Sequence, residues 1–306
     1  MKTVKRFLLL PAVLAVAVCA SAQQRVVALS GQDFVIDNAA AGDGESITYR
    51  WFRNGEAIAN AVGASYTVPA NLASMAGSSV YNTFGAKFQR AAYGVDCAGG
   101  VAMSNVIEVY FCDLIVNGVC WARANADANG RISANPYDIG SFYQWNRPNV
   151  AYSPTDPAAG VAVSGWNATP DNSPTWTNGT PCPGGWRLPT AQDIENLLAM
   201  ESAWITGGVR GIPAGTNGKF FGFNTDYCTM SNMSGCVFLP AGGYRANANG
   251  ALTANTGNLG YYWSGESTLT MATLLRIASA NLPNYTAIKN NAFSVRCVQD
   301  VQNVGQ

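Results

Sequence analysis

Eight cysteines, no histidine and a scatter of unpaired acids set the chemistry open to this 306-residue chain. Without imidazole there is no Ser-His-Asp or Cys-His catalysis, no His-ligated zinc and no ordinary proton shuttle. The acids that could serve a glycosidase as a facing carboxylate pair are Asp138, Asp193, Glu195, Asp226 and Glu266, and no spacing pairs them. Asp193 is better explained as a helix-start residue. No Cys-x-x-Cys pair exists, so a metal knuckle is disfavoured. Cys97, Cys112, Cys120, Cys182, Cys228, Cys236 and Cys297 then read as disulfide formers in an oxidising compartment, with one left over. No catalytic residue, metal or cofactor is expected.

The elements that would position these groups start with an export signal. Met-Lys-Thr-Val-Lys-Arg, an apolar run from Phe7 to Val18 and Ala20-Ser21-Ala22 read as a signal peptide over 1–22. Val18 is a poor residue before a lipid-bearing Cys19, and no later stretch is long and apolar enough for a transmembrane helix. Cleavage removes Lys2, Lys5 and Arg6, leaving 15 of the 18 Lys and Arg against 18 Asp and Glu, a net charge of −3. Nothing in that balance draws nucleic acid or an anionic membrane. Residues 23–111 read as short strands. In "ITYRWFRNGEAIANAVGASYTV", apolar and polar residues alternate about Asn54-Gly55, a hairpin signal because both turn positions need positive φ. Strands are also expected near 87–95 and 104–111.

Beyond residue 112 Trp, Gly and Asn rise. Thr190 before "AQDIENLLAMESAW", with Asp193 three residues on, predicts a capped helix that ends near Gly207-Gly208. Ile194, Leu197, Leu198 and Trp204 would share its buried face. Residues 148–181 carry no helical period and read as a long loop, functional or wrapped on the surface. "RANADANGRI" and "RANANGAL" both read as hairpin turns. Short strands are expected over 220–300, and residues 301–306 read as a frayed tail.

Residues 24–111 resemble the immunoglobulin-like modules of secreted bacterial surface proteins. "YRWFRNGEAIANAVGASYTV", with Trp51 as core tryptophan, and "SNVIEVYF" carry that likeness, which implies a spacer or interaction module. "NGVCWARAN", "NPYDIGSFYQWNR", "CPGGWRLPT", "FLPAGGYR", "GYYWSGE" and "FSVRCV", in order over about 114–298, resemble the Fibrobacter succinogenes major paralogous domain, a member of the C-type-lectin-like fold group. The second resemblance implies an α+β domain over 112–300, with a twisted antiparallel sheet, one or two flanking helices and termini close together. On that picture Cys182 reaches Cys297, Cys228 pairs with Cys236, Cys112 with Cys120, and Trp186 and Leu188 fill the core. Calcium-binding lectins of the fold group use Glu-Pro-Asn or Gln-Pro-Asp and a Trp-Asn-Asp cluster. This chain has neither, "QWNRP" and "GWNATPD" being nearest, and a lectin-type calcium site is not expected.

These features favour a secreted, periplasmic or surface-displayed binding protein of adhesin type, without catalysis, whose C-terminal loops meet a glycan or protein. The expected ligand-binding residues are Tyr244, Arg245, Asn247, Tyr261, Glu266, Asn281, Asn284, Tyr285 and Asn291, since aromatic faces stack and amides bond hydroxyls. The plainer assignment puts Trp186, Tyr262 and Trp263 in the core and leaves Asn281, Asn284, Asn290 and Asn291 as solvated loop. Hypervariable display from the 281–291 stretch is a variant of the binding role. A structural or tip subunit of a surface appendage is the alternative. An enzyme related to the formylglycine-generating enzymes of the fold group comes behind both, because their arginine-glycine signatures are not seen.

Overall fold

A computed structural model of the chain describes residues 24–29, 34–36, 46–68, 86–94, 100–280, 282–283 and 285–300. The expected signal peptide, Cys97, Asn281, Asn284 and the tail lie outside them. Among the described residues strands dominate, with one α-helix and two short 3-10 turns. Among the described residues no helix is long and apolar enough to cross a membrane. The chain divides into two compact units: Ile36–Tyr66 and Lys87–Ile107 belong to the first, and Glu108–Gln306 belongs to the second together with Arg25–Val35 and Thr67–Ala86.

In the first unit, the strand Thr48–Arg53 pairs antiparallel with Glu56–Ala57 and with Ala86–Tyr93, and the latter pairs with Val101–Met103. The predicted Asn-Gly turn is present: Asn54 and Gly55 have φ of 50° and 87°, and Arg53 faces Glu56. Trp51 is fully buried, its ring 5.9 Å from that of Tyr66, and its indole donates to the Gly63 carbonyl at 2.9 Å.

The second unit is an assembly of short antiparallel sheets, not one continuous sheet. Val298–Asp300, Val119–Trp121 and Leu114–Val116 form one; Ala151–Tyr152, Phe142–Gln144 and Ala292–Phe293 a second. Glu201–Ile205, Gly218–Gly222 and Cys236–Pro240 form a third; Gly260–Ser267, Met271–Ile277 and Tyr285–Ile288 a fourth. The two-stranded hairpin Ala126–Asp127/Arg131–Ile132 turns through Asn129-Gly130, both at positive φ. "RANANGAL" also turns, with Arg245 opposite Leu252.

The segment "AFSVRCV" is the hub of this unit. Its carbonyls at Val295 and Cys297 accept from Ala126 N and Ala122 N, Ser294 exchanges backbone bonds with Tyr261 and Trp263, and Val298 exchanges two with Arg187. Around it lies a core of Trp145, Trp263, Leu274, Phe293, Val295 and Leu188, with the Cys182–Cys297 disulfide inside. Cys228–Cys236 and Cys112–Cys120 are also bonded, so all three implied pairings are present.

The helix spans Ala191–Leu198 and stops well short of Gly207-Gly208. Ile194 and Leu197 are buried against Trp121, Phe221, Tyr262 and Leu275, but Trp204 is on a strand, not on the helix. The residues after Leu198 gain more from pairing with Gly218–Gly222, Glu201 facing Gly222 and Ile205 facing Gly218, than from two further helical turns.

The helix start is the predicted capping box. Thr190 Oγ1 accepts from Asp193 N at 3.0 Å, and Asp193 Oδ2 accepts from Thr190 N at 2.8 Å and from Arg187 Nη1 at 2.7 Å. Burial alone would raise the Asp193 carboxyl; the Arg187 guanidinium and the Thr190 bonds overcome it and hold it below its ordinary value. A depressed carboxylate stabilises the fold above its unfolded value of about 3.9 and loses that contribution as the pH falls through the folded value. Asp193→Asn is therefore expected to lose about 1–2 kcal/mol at pH 7. In urea melts its gap to wild type should narrow at pH 3; a gap of equal size there would refute the charge as its source.

Candidate binding surface

Three tyrosines that are far apart in sequence meet at one edge of the second unit. Tyr261 enters from the strand Gly260–Ser267 and Tyr285 opens the strand Tyr285–Ile288. Tyr244 follows the Gly242-Gly243 turn and is pinned by exchange with Thr253, whose N donates to Tyr244 O at 3.0 Å. The Tyr244 and Tyr261 rings lie edge to face at 4.8 Å, and Tyr261 stacks on buried Phe293 at 5.4 Å. Register sets Tyr261 opposite Arg276 and Leu274 opposite Tyr285, so all four side chains share one face of the sheet. The Arg276 guanidinium lies 4.4 Å from the centroid of the Tyr285 ring. Asn255 Nδ2 donates to the Tyr261 hydroxyl at 3.4 Å.

This face grades from core to solvent. Trp263 and Leu274 are fully buried, Tyr244, Tyr261 and Arg276 are half-buried, and Tyr285 is 46% exposed. Burial raises the Tyr261 hydroxyl above its ordinary value, and the Asn255 bond works against it. Tyr261 therefore stays a neutral phenol at physiological pH, able both to donate and to accept.

Of the residues expected to bind ligand, Tyr244, Tyr261 and Tyr285 are brought together. Arg245 is not with them: it is fully buried, and its guanidinium donates to the carbonyls of Ser153, Gly250 and Pro157 at 2.7–3.0 Å. Burial lowers its pKa and nearby Asp156 opposes this. Asn291 is buried as well, its Oδ1 accepting from Asn247 N and its Nδ2 donating to Ile288 O. Asn247 is half-buried and gives its carbonyl to the Trp166 indole. Asn290, taken as solvated loop, is buried too and donates to Ala168 O at 2.7 Å. Glu266 is exposed but stands five residues beyond Tyr261, past a register shift after Trp263, roughly 16 Å along the strand. Tyr262 and Trp263 are core residues, as the plainer assignment had them, and Trp186 is half-buried against the core.

The long 148–181 segment explains where the asparagines went. Gln144, Trp145, Arg147, Lys289 and Asn290 all donate to its carbonyls, at Asn167, Ser173, Thr169, Ser173 and Ala168 respectively. Asn146 adds bonds to Asp171, Ser173 and Thr177. Beyond the short strand Ala151–Tyr152 the loop wraps the surface, tied down by side chains in place of a ladder.

The acids are mostly committed to turns. Asp138 and Asp127 line an open cleft of about 420 Å³ with Tyr137, Thr155 and Thr216. Asp138 caps Asn135 N at 2.8 Å, and Asp127 accepts from Ala128 N and Ser141 Oγ. Glu195 and Asp226 are exposed. Among the described residues no three His, Cys, Asp or Glu side chains gather as metal ligands would.

A strand-rich unit with one short capped helix, three disulfides and a tyrosine-lined edge defines a cross-braced class of domain with much irregular loop. The sequence profile of the Fibrobacter succinogenes major domain matches residues 113–299, more than half of the chain, and the chain belongs to that family. No curated protein matches it.

Proposed function

We propose that this protein is an exported, non-catalytic binding module of adhesin type that engages its ligand, a glycan or a protein, at the Tyr244–Tyr261–Arg276–Tyr285 face. The observation that carries the reading is the convergence of three tyrosines, their rings partly in solvent, around one stacked guanidinium. Tyrosine supplies wide, rigid, amphipathic contact for little lost rotamer freedom, and arginine with tyrosine dominates binding hot spots. Three disulfides suit the periplasm, the cell surface or the medium. The first unit is read as an immunoglobulin-like spacer and the second as a C-type-lectin-like scaffold.

The test is a binding screen of the mature protein on glycan and host-protein arrays, with and without calcium. Tyr285→Ala should weaken the best hit by at least about tenfold, the scale of a hot-spot truncation. Tyr227→Ala, at a side chain 73% exposed in a separate 3-10 turn, should not. Equal affinity of wild type and Tyr285→Ala for every hit, or turnover of a hit, sinks the reading.

A further inference from the structure

We infer that the ligand of the tyrosine face carries a carboxylate, held by Arg276, and that it is an acidic saccharide of the uronic-acid class. The inference rests on the binding reading above and narrows it to a ligand chemistry.

The chain treats most of its cations otherwise. Arg187 pairs with Asp193 and Asp300, Arg123 with Asp113, and Arg245 and Arg296 give their donors to backbone carbonyls and an amide within the fold. Arg276 has no carboxylate against it among the described residues, and its Nε, sheltered from solvent, has no acceptor. What it does have is an aromatic platform, the Tyr285 ring at 4.4 Å, and a cross-strand tyrosine, Tyr261. Stacking fixes the guanidinium plane and thins its hydration, so little is lost when an anion docks on its outer nitrogens. A charge-assisted bond to carboxylate is then about twice as strong as a neutral one.

The surroundings select the rest of the ligand. Phenol groups of Tyr244, Tyr261 and Tyr285 and the Asn255 amide offer both donors and acceptors around one cation, with ring faces beside them. That mix answers the ring of hydroxyls and the C–H faces of a pyranose, which a run of acidic side chains on a peptide does not present.

The mature full-length protein would be titrated calorimetrically with an oligogalacturonate, with its uncharged methyl ester, and with an oligoglutamate peptide of equal charge. The expected result is at least about tenfold tighter binding of the oligogalacturonate than of either other probe, weakened by added salt. Arg276→Gln should erase the preference for acid over ester, and Arg276→Lys should restore only part of it. Melting curves of both variants show whether the fold is kept. Equal affinity for acid and ester, an acid preference that survives Arg276→Gln, tighter binding of the peptide, or no binding of either saccharide overturns the inference. The Tyr285→Ala result on the array hits stands apart from all four outcomes, and it alone decides whether the face binds anything.

Discussion

Removing the Cys182–Cys297 bridge, by Cys182→Ala with Cys297→Ala, is expected to cost the protein about 4–5 kcal/mol, because its two ends are 115 residues apart. A bridge of that span removes much of the freedom of the unfolded chain. Its native site is also central. Cys297 lies in the hub segment, its carbonyl accepting from Ala122 N, and both sulfurs sit in the main core with Trp145 and Trp263. Cys182 leads into the short run that delivers Arg187 to Val298 and Thr190 to the helix cap. The comparison variant is Cys228→Ala with Cys236→Ala, whose ends are 8 residues apart. There the same reasoning gives about 2.5 kcal/mol. Both double variants delete two buried sulfurs, so their cavity costs are similar and the difference isolates the loop. For a domain of this size the first should fall by roughly 10 °C or more in a thermal melt and the second by about half as much. Equal losses would falsify loop closure as the source of the stabilisation.

Local patterns were legible and long-range cover was not. The Asn54-Gly55 and Asn129-Gly130 turns could be read because each depends on two adjacent residues that tolerate positive φ. Asn117-Gly118, between Val116 and Val119, is a third turn of the kind and went unread. The helix start was legible for the same reason: Thr190 and Asp193 carry the capping box within four residues. Its end was not, since the first glycine after Leu198 is Gly207 and the strand Glu201–Ile205 depends on a partner beginning at Gly218. The three cysteine pairs came from the family resemblance, because spacing alone leaves the connectivity open. For the candidate surface, the tyrosines were legible as residue types suited to binding. Arg276 was missed, because its significance lies in register: only when Met271–Ile277 pairs on both sides does it face Tyr261 and overlie Tyr285. Asn290 and Asn291 were misplaced by their composition. They resemble loop residues, but Ala168 O and Asn247 N, both distant in sequence, hold them inside.

The most consequential residue that composition hid is Arg296, within "FSVRCV". Its side chain is fully buried. Nε donates to Asn125 Oδ1 at 2.7 Å, Nη1 to the carbonyls of Ala122 and Arg123 at 2.8 and 2.9 Å, and Nη2 to Phe238 O at 2.8 Å. One planar group thus joins the hub segment to the chain after Trp121 and to the strand Cys236–Pro240. Exchanging a buried ion pair for apolar residues can be neutral when both partners are replaced. Here three of the four acceptors are backbone carbonyls, which no substitution removes. Arg296→Met is therefore expected to cost about 3–5 kcal/mol, a large part of the 5–15 kcal/mol typical of a whole domain. Arg296→Lys should recover little, since a single ammonium cannot span the fork. The pH dependence separates this effect from that of Asp193. Burial pulls the Arg296 guanidinium down to about 10, with Tyr262 and Asp113 opposing, so it stays charged at neutral pH. Because the folded value lies below the unfolded one, the cost of holding the charge is constant below about pH 10 and is relieved only above it. Urea melts at pH 5, 7 and 9 should give the same gap between Arg296→Met and wild type. An Arg296→Met protein as stable as wild type would show that the carbonyls of Ala122, Arg123 and Phe238 find other donors, and that the guanidinium does not organise the hub.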